Sequence, residues 1–329
     1  MRKAPATPRS SRRSCAREAG AARALGLALL LALSCAACSP AADAELSLGR
    51  IERLSFVPAG QVSLSLSGRG VVSFEVHAPL LVDSYEVTRA EWLVFQRSLG
   101  SSAAPELVAH TSQWSADSGE WPASFVSHVE AEAFARSVGM RLPSVGEWLF
   151  IACGPQALPF PWGATDQRSV ANTLELGLDR AVAVGTFEAG RSPQRVYDLV
   201  GNVAEWCSDL APERESLAGD ERVSVLGGSF HNRSRPVFDP RWIEGQSELF
   251  ARALSRESRA DDVGLRCVAD AEEYLLAQLP SARPERSVAR RYEALGHRWG
   301  VRARAFLEGL AQRPGASPAL THLIAGASR

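Results

Sequence analysis

The amino-acid sequence predicts an α+β domain of irregular, loop-rich build. Three features point there: short alternating apolar runs over residues 56–82, three helix-start signatures within residues 87–153, and a stretch from Phe160 to Asp209 rich in glycine, proline and aromatic side chains with few long periodic segments. Of the 329 residues 46% are hydrophobic and 22% charged, so the chain carries enough apolar material to bury a core and does not read as disordered.

The elements follow in order. Val62, Leu64 and Leu66, then Val71, Val72, Phe74 and Val76, are split by Gly68 and Gly70, the pattern of a β-hairpin. Helical period takes over at Val87–Phe95, with Thr88 as N-cap and Glu91 completing a capping box, in which hydroxyl and carboxylate each satisfy a backbone N–H of the first turn. Residues 98–120 read as a polar loop. The capping device recurs at Ser127 and Glu130, opening a helix to Val138, and at Ser144 and Glu147 behind Pro143, where Trp148, Phe150 and Ile151 supply the apolar side. After Asp270 the character changes. Residues 271–329 read as two to four short helices broken at Pro280, Pro284, Pro314 and Pro318, with 9 arginines against 5 glutamates. A helical extension packed on the body is the plain expectation for this segment, and a membrane-surface or partner-binding helix the sharper one.

Residues 1–37 are set aside as a targeting segment. Arg2, Lys3, Arg9, Arg12, Arg13, Arg17 and Arg23 precede the apolar run Ala24–Leu33, which is shorter than the roughly 20 residues a spanning helix needs. The run ends in Leu33-Ser34-Cys35-Ala36-Ala37-Cys38, small residues leading into cysteine. This resembles a bacterial lipoprotein signal, in which a cysteine, here Cys38 or Cys35, becomes the lipidated N-terminus. Residues 38–49 are then a tether and 50–270 the body. The expected location is the cell envelope, with Ser39 after Cys38 compatible with the outer membrane, and the expected membrane contact is the lipid anchor. Removing residues 1–37 takes away 7 basic and 1 acidic residue and leaves 29 against 36, a net charge of −7. No cationic field marks a nucleic-acid binder. Lys3 is the only lysine, so Schiff-base and P-loop lysine chemistry is excluded from the mature chain.

Three cysteines remain in the body: Cys153, Cys207 and Cys267. Export favours one disulfide and one odd thiol, and the spacing fits no zinc pattern. Around Gly201-Asn202-Val203-Ala204-Glu205-Trp206, two carboxylates, Asp198 and Glu205, flank a glycine turn whose carbonyls can point inward, which suits a hard cation such as Ca²⁺. Trp121, Trp148, Trp162 and Trp206 read as core, and Trp114 and Trp242 as better candidates for a groove.

The order of motifs carries a resemblance. Phe56-Val57-Pro58-Ala59-Gly60, Asp83-Ser84-Tyr85-Glu86-Val87-Thr88, Arg141-Leu142-Pro143-Ser144 with Glu147-Trp148, Phe160-Pro161-Trp162-Gly163, Tyr197–Trp206, Leu226-Gly227-Gly228-Ser229-Phe230 and Gly264-Leu265-Arg266-Cys267 stand in register along residues 50–270. This resembles the formylglycine-generating enzyme (sulfatase-modifying factor) family. The resemblance implies an irregular α+β fold related to C-type lectins. It implies a calcium ion held by the side chains of Asp198 and Glu205 and the carbonyls of Gly201 and Val203, and a Cys153–Cys267 disulfide, with Cys153 one residue beyond the matching position.

The oxidases of that family use a cysteine pair that binds copper after the Gly-Gly-Ser motif. Here the first cysteine matches Asn232 and the second about Val237, and no cysteine stands between Cys207 and Cys267. Amide and alkyl groups cannot replace thiolate ligands, so no copper is expected. The six histidines, His77, His110, His128, His231, His297 and His322, form no iron-binding spacing. The expected function is a non-catalytic binding or interaction protein serving an envelope protein or ligand. The alternative is a divergent enzyme of the formylglycine-generating or non-haem iron kind using the same groove.

Overall fold

A computed structural model describes residues 48–66, 70–102, 105–211, 221–237 and 251–328. The segment expected to be a targeting signal, with Cys35 and Cys38, and Trp242 lie outside the described residues. Strand β1 (Leu54–Val57) is buried at every position, so both its faces are covered. The hairpin of β2 (Gly60–Leu66) and β3 (Gly70–Val76) pairs Val62 with Phe74 and Leu64 with Val72, so the alternation read in the sequence sets the register. Strand β4 (Leu80–Asp83) lies antiparallel to β1, pairing Leu54 with Asp83.

All three capping boxes form. They open α1 (Arg89–Leu99) on Thr88 and Glu91, α3 (His128–Ser137) on Ser127 and Glu130, and α4 (Val145–Cys153) on Ser144 and Glu147. The polar loop expected over 98–120 contains a short helix, α2 (Pro105–Thr111), which buries Leu107 and Thr111. Strands β5 (Ala204–Leu210), β6 (Arg222–Leu226), β7 (Ala251–Ser255) and β8 (Val263–Gly264) make a sheet ordered β7-β6-β5-β8, in which β8 runs parallel to β5. Strand β9 (Val268–Asp270) adds the third strand to the first sheet, ordered β1-β4-β9.

Four helices close the chain: α5 (Ala271–Gln278), α6 (Arg286–Trp299), α7 (Val301–Ala311) and α8 (Ala319–Ala327). Prolines separate most of them, but α6 and α7 part at Gly300, whose φ of 73° is glycine's region. Helices α6 and α8 meet backbone to backbone: a Cβ at Gly296 would strike the Leu323 carbonyl, and one at Gly326 the Glu293 carbonyl. Helices α6 and α7 pack on β1. Trp299 Nε1 donates to the Leu54 carbonyl at 2.9 Å, and Phe56 stacks on Trp299 and Phe306 at 6.1 and 5.5 Å. One apolar cluster therefore runs from Trp92, Phe95 and Phe134 through β1 to Tyr292, Leu295, Trp299 and Leu307. A second gathers Val62, Leu64, Trp148, Leu149, Ile151, Cys153, Leu199, Cys207 and Val237.

These clusters account for the thiols. Cys153, Cys207 and Cys267 are all free and buried, so the expected Cys153–Cys267 bridge is not formed. Cys153 closes α4 and packs in the second cluster, whereas Cys267 belongs to the first, where its backbone N–H donates to Asp83 Oδ2 at 3.0 Å. One residue of offset along a helix turns a side chain by about 100°, enough to defeat a bond of strict geometry. Burial pushes the Cys153 thiol up to about 12 and the other two well above the ordinary range.

Candidate functional site

The motif loops converge on a buried charged knot that joins β4 of the three-stranded sheet to β5 of the four-stranded one. Residues 198–203 reach it by a turn with Asp198, Gly201 and Asn202 at φ of 57°, 80° and 55°. Gly201 is required there because a Cβ would collide with the Asn172 backbone, while asparagine tolerates the left-handed region. Asn202 locks the turn. Its Nδ2 donates to Glu86 Oε2 at 2.7 Å, and its Oδ1 accepts from Val182 N at 2.9 Å and Asn172 Nδ2 at 3.1 Å. Glu86 Oε1 also accepts from Val203 N at 3.0 Å.

Arg266, 0% exposed, is the hub of the knot. Its Nη2 lies 2.6 Å from Glu205 Oε1 and donates to the Tyr197 carbonyl at 2.7 Å, while Nη1 donates to the Asp83 carbonyl at 2.7 Å. Its Nε is 3.1 Å from both Glu205 oxygens, and Trp148 Nε1 donates to Glu205 Oε2 at 2.8 Å. Asp198 Oδ2 accepts from Gly185 N at 2.7 Å. Three buried carboxylates, Glu86, Asp198 and Glu205, thus lie within electrostatic reach of one guanidinium, which bonds Glu205 alone among them. Burial, with repulsion from Asp198 and Glu205, pushes Glu86 well above the carboxylate range, and burial lifts Asp198 to about 6.

The four expected calcium ligands, Asp198, Gly201, Val203 and Glu205, stand on this one turn and the strand that follows it. As arranged they do not fit a calcium ion held by Glu205, because both its oxygens already accept from Arg266 and Trp148. Asp198 is left with one oxygen, Oδ1, without a donor among the described residues, and Ca²⁺ takes six to eight oxygens. Among the described residues no three His, Cys, Asp or Glu side chains group as metal ligands. Nearby, Asn172 Oδ1 is buried without a partner among the described residues.

The two positions matching the copper cysteines lie on the loop after β6. Asn232 Oδ1 accepts from Ser229 N at 2.9 Å and from Ser229 Oγ at 3.1 Å, so the amide braces the Gly-Gly-Ser turn. Ser229 Oγ also lies 2.7 Å from Asp262 Oδ2, which pairs with Arg252 at 2.9 Å. Val237 is 2% exposed and belongs to the second core cluster, with its N–H on the Pro159 carbonyl at 2.7 Å. Trp148 and Trp206 are core, Trp206 donating to the Val126 carbonyl at 2.9 Å, whereas Trp114, Trp121 and Trp162 are half-buried. The sequence reading quoted Glu86 and Arg266 only as motif letters and missed them as site residues. Their place within the Asp83–Thr88 and Gly264–Cys267 motifs was the available signal.

A loop-built α+β scaffold with a buried carboxylate–guanidinium knot beneath a Gly-Gly-Ser turn defines the class. The chain belongs to the sulfatase-modifying factor family: residues 42–271 match the sulfatase-modifying factor enzyme 1-like domain. It is similar to the formylglycine-generating enzyme of Mycobacterium tuberculosis (28% identity over 182 residues, 47% of this chain and 59% of that one). It is also similar to the inactive C-alpha-formylglycine-generating enzyme 2 of Bos taurus (29%, 46% of this chain and 51% of that one) and to hercynine oxygenase of Mycolicibacterium smegmatis (35%, 36% and 35%). The chain spans about a third to three fifths of the length of these relatives. Two solved structures share the fold, each at a TM-score of 0.50 and over 66% of this chain: CarF (17% identity, 97% of that chain) and PvdO from Pseudomonas aeruginosa (18%, 94%).

Proposed function

We propose that this chain is a non-catalytic binding or interaction protein on the sulfatase-modifying factor scaffold, held at the bacterial envelope by a lipid on Cys38 or Cys35. One observation carries the reading. Where the copper thiolates would stand, Asn232 spends its amide oxygen bracing Ser229 and Val237 fills the core, so those positions serve structure. The three remaining thiols are buried and pushed upward in pKa, the reverse of what a redox or metal-binding cysteine needs. That an inactive member stands among the relatives supports the reading.

The oxygenase relative raises the alternative of iron chemistry, but the described histidines are dispersed. His128 is buried against the Cys207 carbonyl, His110 stacks on Phe125 at 4.3 Å, and His322 pairs with Glu293. A Cu(I) titration against a competing chelator tests the proposal. The purified chain should hold no stoichiometric Cu(I), and one tightly held equivalent that disappears in Cys207→Ala would overturn it. For the anchor, the full-length chain should fractionate with membranes and Cys35→Ser/Cys38→Ser should release it.

A further inference from the structure

We infer that the outward face of α6 is a docking surface for anionic phospholipid headgroups, which seats the body on the membrane beside its own anchor; this rests on the lipid-anchor reading above. The buried positions of α6 are Ala289, Tyr292, Leu295, Gly296 and Trp299. At 100° per residue they form one stripe, and Arg286, Arg290, Ala294 and His297 form the opposite one, all exposed. Arg283, also exposed, stands three residues before Arg286 in the connection that leads in.

The charges on this face are unanswered. Three other arginines of the C-terminal segment are paired with acids, Arg291 with Glu52, Arg313 with Glu272 and Arg304 with Glu308. Arg283, Arg286 and Arg290 have no carboxylate partner among the described residues, although the mature chain is acidic and offers many carboxylates. Beside Arg290 a cleft of about 360 Å³ opens between α6 and α8, lined by Arg290, Glu293, Ala294, His297 and Gly326. The one acid lining it, Glu293, works against an anion, but its carboxylate faces His322 Nδ1 at 3.2 Å. The cleft is a place for a phosphate group, and the arginines around it a place for its neighbours.

The position of the tether selects the membrane as the occupant. Leu48, the first described residue, is buried in the cluster that includes α6, and Glu52 carries the bidentate pair with Arg291 of that helix. Leu48 lies ten steps along the chain from Cys38, a reach of at most about 35 Å. A lipid on Cys38 therefore keeps Leu48, where the chain enters the cluster that includes α6, within that distance of the bilayer. A single acyl signal binds a membrane marginally, and a basic patch is the usual second contribution.

The test uses the chain from residue 39 without lipid, since residues 47–329 form one compact unit, and vesicles of phosphatidylglycerol in phosphatidylcholine against phosphatidylcholine alone. Binding to the anionic vesicles should fall about fivefold for each arginine removed, so Arg286→Glu/Arg290→Glu should lose at least about 25-fold, with an unchanged melting temperature. Equal binding by the charge-reversed chain, or no preference for anionic vesicles, overturns the proposal. So does displacement by millimolar glycerol phosphate, which would make the cleft a site for small phosphates. Failure of the anchor reading shows elsewhere, as Cys35 and Cys38 both without lipid in cell fractions, and leaves the vesicle result to be read by itself.

Discussion

Replacing Arg266 by methionine tests the physical core of the site. The guanidinium makes its contacts to Glu205, Asp83 O and Tyr197 O with 0% exposure, so its loss strands the buried Glu205 side chain and two buried carbonyls. Breaking a buried pair by removing one partner costs about 3–5 kcal/mol. At about 2–4 °C per kcal/mol for a domain of this order of size, the melting temperature should drop by roughly 10 °C. Arg266→Met/Glu205→Leu should recover part of that loss, because an apolar pair of similar volume leaves no uncompensated charge. Near-UV circular dichroism melts of the three proteins, each with and without EDTA, are the assay. A single variant within about 1 kcal/mol of wild type would refute the assignment of Arg266 as the counter-charge. An EDTA effect on wild type as large as the substitution would restore calcium to that role.

The other predictions concern thiols, pH and packing. Peptide mapping without reduction should find Cys153, Cys207 and Cys267 all alkylated once the chain is denatured, and a Cys153–Cys267 linked peptide would contradict the structure. Burial holds the His128 imidazole below its ordinary pKa, with Nε2 on the Cys207 carbonyl at 3.0 Å. The unfolded chain therefore takes up this proton first, so stability is full above the unfolded value near 6.5 and falls as pH drops below it. Melts from pH 7.5 to 5 should show that loss, and His128→Asn should flatten it. Gly326→Ala pushes a methyl into the Glu293 carbonyl of α6 and should cost about 1–3 kcal/mol, read as a fall of several degrees, whereas Gly309→Ala, with open space around it, should not lower the melting temperature.

Local chemistry was what the sequence showed best. The three capping boxes and the β2–β3 alternation depend on residues three or two apart, and all of them form. The motif order along residues 50–270 located the loops that build the knot. What was illegible is long-range pairing. Arg266 meets Glu205 across 61 residues and the Asp83 carbonyl across 183, and no spacing rule joins them. The Cys153–Cys267 expectation failed for the same reason: a helical side chain one position out faces a different cluster. Helix α2 was hidden in a polar stretch because it buries only Leu107 and Thr111.

The central claim is that the scaffold persists without its copper chemistry, and turnover measures it most directly. The purified chain would be incubated with a sulfatase-type cysteine peptide, Cu(I), a reductant and oxygen, and the peptide followed by mass spectrometry. The account predicts that the peptide keeps its thiol, with Asn232→Ala indistinguishable from wild type. Conversion of the cysteine to formylglycine by the wild-type chain, abolished in Cys207→Ala, would contradict it.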